Sequence, residues 1–184
     1  HGSISDCDQG SNNNLVINNV NIVDVAQAEI KTNQRVIVKS GVITEIRPMS
    51  VSYESEVSNT VDANGGYLTP GLIDMHVHAY DKSAFELSLS HGVTHVRVMN
   101  GVKQHLDWRE EQDTGWLASG MSVSSPIVRS GEDSQPLNWT VNTAEEARAA
   151  IQSAKQQGYD LIKVYGSISK HALEAVLSEA EKLD

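Results

Sequence analysis

"GGYLTPGLIDMHVHAYD", residues 65–81, decides how the rest of the chain is read. A Pro70-Gly71 turn leads into Leu72-Ile73-Asp74-Met75-His76-Val77-His78, an apolar run in which every second residue from Asp74 onward is polar. Successive side chains of a strand face opposite sides. Asp74, His76 and His78 are therefore expected on one face with Leu72, and Ile73, Met75 and Val77 on the other. A strand inside a parallel sheet is ordinarily apolar on both faces. Each unpaired polar group buried there costs roughly 1–3 kcal/mol. A lone histidine would be satisfied by a backbone carbonyl. Two in His-x-His spacing, beside an aspartate, point instead to a shared divalent ion, and imidazole pairs suit zinc. Asp74 is expected to orient one of the rings from behind.

Upstream, residues 15–66 read as a small β-rich unit. "LVINNVNIVDV" and "RVIVKSGVITEI" are rich in Val and Ile, and Ser40-Gly41 forms a two-residue hairpin turn. Downstream, residues 67–184 alternate strand-like with helical stretches. "SAFELSLSHG" is a short helix stopped by Gly92, "VTHVRVMNG" a strand and "SSPIVRSG" a short strand. Thr143 and Glu146 form a capping box ahead of a helix that stops at Gly158. "YDLIKVYG" is the next strand, and Ser169 opens the last helix, "KHALEAVLSEAEKL". About four strand–helix repeats at this spacing imply an α/β fold with a parallel sheet.

The strand "DLIKVYG" carries a second anomaly, because Leu161, Lys163 and Tyr165 share a face of an otherwise apolar run. Desolvation makes a lysine easier to deprotonate. A neutral amine can add carbon dioxide to become a carbamate, an anion whose two oxygens suit a pair of metal ions. From this strand alone the simpler reading is a lysine whose stem packs while its head reaches water or an acid.

Taken together, "VIVKSGVITEIRP", "VDANGGYLTPGLIDMHVH", "GVTHVRVMNG", "LDWREEQDTGWLASG" and "LIKVYG" resemble, in this order, the amidohydrolase superfamily. The likeness is strongest to its prolidase-like and imidazolonepropionase-like branch. It covers nearly all of the chain after residue 14. The resemblance implies a (β/α)8 TIM-type barrel beside a small β-sandwich, with the active site at the C-terminal ends of the barrel strands. It implies that His76 and His78 bind a divalent metal of the zinc type, and that carboxylated Lys163 bridges two ions. The metal activates water against an amide-type carbonyl. Tyr165 lies beside the site as a substrate contact or a packing residue. Arg97 shares a face of its strand with His95 and Met99 and is a weaker candidate for the site mouth.

The resemblance also implies histidines on a fifth and a sixth strand and an aspartate general base on an eighth, all beyond residue 184. A whole barrel of this kind takes about 250 residues. The chain therefore reads as the first four β/α units of a longer enzyme, inactive alone. Its open strand edges are expected to associate with a second copy or with the missing C-terminal half. Two other readings stand beside this one. One is a truncated, non-catalytic half-barrel that serves binding or assembly. The other is a one-metal sugar- or nucleobase-processing relative with an unmodified Lys163.

The remaining features constrain partners and location. A net charge of −10 with no basic run argues against nucleic acid, and the resemblance implies a small molecule or dipeptide as the substrate. His1, Gly2 and Ser3 read as a purification-tag remnant, within a leader of residues 1–14. Cys7, followed by a polar tract, resembles the lipidated cysteine of an exported bacterial lipoprotein; a cytoplasmic enzyme is the alternative. Trp108 and Arg109 are expected to pack or cap, and His91, His105 and His171 to lie on the surface. The loop "GEDSQPLNW", residues 131–139, falls where a substrate loop would lie, but reads first as a flexible connection.

Overall fold

Ser40 and Gly41 turn the chain with φ angles of 51° and 77°, the positive pair that a tight hairpin demands. In the computed structural model, which describes residues 14–54, 59–132 and 135–183, this turn joins β2 (Glu29–Lys39) to β3 (Val42–Pro48). Cys7 and its leader lie outside the described residues. With β1 (Leu15–Asp24) and β4 (Thr60–Asp62) these strands form a sheet in the order β3-β2-β1-β4. Val16, Val20, Val36 and Ile37 are its buried residues.

The short β5 (Tyr67–Leu68) runs parallel to β1 and belongs to this sheet, although its residues were expected to open the second unit. The reason is local. Asn64 and Gly65 both have positive φ, 48° and 78°, and turn the chain back so that Asn21 N–H donates to the Gly66 carbonyl at 2.9 Å. The first compact unit thus ends at Pro70 and the second begins at Gly71.

In the second unit β6 (Leu72–Val77), β7 (Val93–Val98) and β8 (Gly120–Val123) lie parallel in that order. Parallel neighbours need long crossovers, supplied here by α1 (Lys82–Ser90) and α2 (Lys103–Asp113). Val96 and Val98 of β7 pack with Phe85 of α1 and with Leu106 and Trp108 of α2. Two glycines permit close approach. A Cβ on Gly71 would lie 2.2 Å from Thr94 Oγ1, and one on Gly101 would lie 1.9 Å from the Ser124 carbonyl oxygen.

β8 ends at Val123, and only an isolated bridge at Ser124 and the non-strand residues Ser125 and Pro126 separate it from the next strand. The chain resumes as β9 (Ile127–Arg129), which pairs with β10 (Asn138–Thr140). The interruption propagates to the segment around Lys163. The strand expected there is reduced to two isolated parallel bridges, Ser124 with Leu161 and Val128 with Val164. Between them Ser125 Oγ accepts the Lys163 N–H at 3.1 Å, and the Lys163 carbonyl accepts from Val128 N–H at 2.7 Å.

α3 (Ala144–Gln157) and α4 (Lys170–Leu183) cover this region through Ala147, Ile151, Ala172, Ala175 and Val176. The capping box forms as expected. Thr143 Oγ1 accepts the Glu146 N–H at 3.1 Å, and Glu146 Oε2 accepts the Thr143 N–H at 3.1 Å. Gly158, with φ 85°, ends α3. Arg109 joins α2 to this end: Nη2 donates to the Gly158 carbonyl at 2.8 Å and Nη1 to Asp160 Oδ2 at 2.6 Å. Trp108 packs and Arg109 caps, as their positions implied.

Candidate metal centre

His76 and His78 stand where β6 gives way to loop, at the C-terminal end of the parallel strands. Their Nε2 atoms are 3.1 Å apart, with ring centroids 5.0 Å apart in an edge-on arrangement. Two nitrogens bound to one ion at about 2.0–2.1 Å stand roughly 2.9–3.4 Å apart over the usual ligand angles. The pair therefore fits a shared divalent ion without rearrangement. Partial burial lowers the His78 pKa, and the neighbouring His76 and Lys163 lower it further. That favours the neutral imidazole, the form that ligates metal. It also places Lys163 within electrostatic reach of His78, joining two residues far apart in sequence. Among the described residues no group of three or more His, Cys, Asp or Glu gathers as a ligand set.

The register of β6 against β7 shifts between Asp74 and Val77. Asp74 Oδ1 accepts the backbone N–H of His76 at 3.1 Å and so steadies the main chain of β6 at His76. Arg97 likewise turns toward β6, where Nε donates to the Met75 carbonyl at 2.8 Å. His95 pairs with Ser122 Oγ at 2.9 Å.

A cavity of about 420 Å³ opens beside His78, lined by Asn100, Ile127, Arg129, Gln135, Asn138 and Tyr165. Tyr165 thus sits at the site. Asn100, Arg129, Gln135 and Asn138 were not singled out from sequence. Asn100 stands two residues beyond β7, at the same strand end as the histidines, and that position was a usable signal. Gln135 and Asn138 fall in the stretch read as a flexible connection. Asn100 is held in place, with Oδ1 accepting the Ile127 N–H at 3.2 Å.

His105 corrects the sequence reading outright. It was expected on the surface and is fully buried. Nε2 lies 2.6 Å from the Ala79 carbonyl, and Nδ1 accepts the Val102 N–H at 3.1 Å. A helix start flanked by Lys103, Gln104 and Asp107 looks solvated in sequence. The burial comes from Tyr80, Phe85 and Trp108 closing around the ring.

Comparison with known proteins agrees with this geometry. The model of the amidohydrolase family matches residues 59–159, more than half of the chain. The chain belongs to the amidohydrolase family. An amidohydrolase relative, the dihydroorotase of Trichlorobacter lovleyi, is 34% identical over 104 residues, which make up 51% of this chain and 24% of the relative. A putative prolidase from Bifidobacterium longum superposes with a TM-score of 0.75 at 22% identity, covering 92% of this chain and 47% of its own. A prolidase solved in complex with N-methylphosphonate-L-proline gives a TM-score of 0.78 at 19% identity, with 92% and 54% covered. At these identities the structural likeness shows the fold: an α/β fold similar to part of these amidohydrolases. The chain spans about half the length, or less, of the proteins it matches.

Proposed function

We propose that this chain carries the metal-binding front part of an amidohydrolase that cleaves C–N bonds, with a prolidase-like dipeptidase favoured and a cyclic amide as the other substrate class. In this reading residues 72–183 form four β/α units, half of a closed barrel, and residues 15–68 form part of a sandwich domain. His76 and His78 would hold a divalent ion, and Lys163, as a carbamate, would offer it oxygen ligands; zinc suits this donor set. The observation that carries the reading is the 3.1 Å approach of the two imidazole Nε2 atoms.

The bound metal supplies Lewis acidity and an activated water. The chain's own residues do the rest. Asp74 holds the main chain at His76, and Arg97 ties β7 to β6. Asn100, Gln135 and Asn138 offer amide groups, and Tyr165 a phenol, to a substrate lying in the cavity beside His78. The general base belongs to a later strand, beyond residue 184. The prolidase structures favour a dipeptide, and the dihydroorotase relatives support a cyclic amide.

The test is metal content of the full-length protein together with hydrolysis of dipeptide and cyclic-amide panels. Native mass spectrometry of Lys163→Ala beside the unmodified protein reads the carbamate. Retained metal, hydrolysis of one panel and a carbon dioxide adduct lost in the variant are expected. A full-length protein that holds no metal and cleaves neither panel overturns the proposal.

A further inference from the structure

The chain just after β6 leaves the sheet, where Tyr80 Oη donates to the Asn100 carbonyl at 3.3 Å and Ala79 packs against the core. The last β6 carbonyl held by the β7 strand is Val77, which accepts the Met99 N–H at 3.0 Å. His78, Ala79 and Tyr80 then run free of the sheet until Asp81 caps α1. Into this gap the Ala79 carbonyl points at His105 Nε2, 2.6 Å away. The second nitrogen of His105 accepts the Val102 N–H, so the ring is neutral with its proton on Nε2, donated to Ala79. The imidazole is walled by Tyr80, Phe85 and Trp108 at centroid distances of 5.5, 6.2 and 5.3 Å. It sits on α2, which is itself immobilised by Trp108 in the core and by Arg109 on Gly158 and Asp160. A polar ring in an aromatic pocket is costly unless both nitrogens are used, and here both are. One of them is spent on the residue that follows a candidate metal ligand.

We infer that His105 is a positioning residue for the metal centre: by holding the Ala79 carbonyl it sets the direction in which His78 presents its ring. The inference rests on the metal-centre reading given above. His105 acts one residue away from the ligand, through the main chain, and ties the ligand-bearing loop to α2, which Trp108 and Arg109 anchor.

Two substitutions separate the two hydrogen bonds. His105→Gln keeps a donor at about the reach of Nε2. His105→Asn keeps an acceptor near the place of Nδ1 and abandons Ala79. Both are made in the full-length protein and compared where near-ultraviolet circular dichroism shows each folded. Zinc affinity is read by chelator competition, and site geometry by the visible spectrum of the cobalt-substituted protein. We expect His105→Asn to lose roughly 10–100-fold in zinc affinity, as outer partners of metal ligands do, with a shifted cobalt spectrum. His105→Gln stays close to the unmodified protein in both. Equal zinc affinity and equal spectra in the two variants, whatever their stabilities, overturn the positioning role while leaving the metal centre intact. An unmodified protein without zinc affinity overturns the metal-centre reading and this inference with it.

Discussion

The Nε2 atoms of His76 and His78 face each other across 3.1 Å. Two neutral imidazoles so placed either share a proton or share an ion. The first requires one Nε2 to donate and the other to accept. The second needs both as acceptors, each with its proton on Nδ1. The two cases respond differently to substitution.

If an ion is shared, His76→Ala and His78→Ala each cost more zinc affinity than the roughly 10–100-fold lost with an outer partner. The double variant adds little to either single, because the pair binds as a unit. Both side chains are exposed, so far-ultraviolet circular dichroism stays unchanged. Additive, mild losses in a chelator titration of the full-length protein contradict a shared ion.

Burial lowers the pKa of His105 below its ordinary 6.5, against a smaller opposing effect of the Ala79 carbonyl. With a depressed folded-state pKa, the unfolded chain takes up a proton first as pH falls. The stability held by the neutral ring is complete above about pH 6.5. It drains away as pH drops from there through the lower folded value. Protonation would also turn Nδ1 into a donor facing the Val102 N–H. Urea midpoints measured between neutral and mildly acidic pH are expected to fall for the unmodified protein more steeply than for His105→Gln. Parallel curves contradict this.

Gly101→Ala puts a methyl group 1.9 Å from the Ser124 carbonyl oxygen and 2.6 Å from Val123 Cγ1. Backbone and β8 must separate to admit it. The expected loss is at or above the top of the roughly 1–3 kcal/mol range for overpacked sites. An unchanged thermal midpoint rules this out.

β6 pairs with β7 and, among the described residues, with no other strand. Leu72, Ile73 and Met75 are 62%, 59% and 51% exposed. An apolar open edge of this kind recruits other strands. Gel filtration of the 184-residue chain is expected to show association that Ile73→Lys reduces. A well-behaved monomer that binds no apolar dye contradicts it.

Much of the architecture was legible in particular residues. Ser40-Gly41, Thr143 with Glu146, and Gly158 announced a hairpin, a helix start and a helix stop, and each is found there. These signals work over a few residues, where backbone sterics and capping bonds act. One local reading failed for a reason lying outside its own segment: the Lys163 strand is reduced to two isolated bridges, with Ser124 and Val128 of an interrupted neighbour.

The His-x-His spacing alone was enough to propose an ion-binding pair, since two residues on one strand share a face whatever surrounds them. Folding had to supply the rest. The burial of His105, the electrostatic reach of Lys163 to His78, and the gathering of Asn100, Arg129, Gln135 and Asn138 at one cavity join residues far apart along the chain. His105 and Ala79 are 26 positions apart and meet only because α2 folds back over the end of β6. No periodicity within either segment encodes that contact; it exists because packing the apolar faces of β7, α1 and α2 leaves one arrangement of the loops between them.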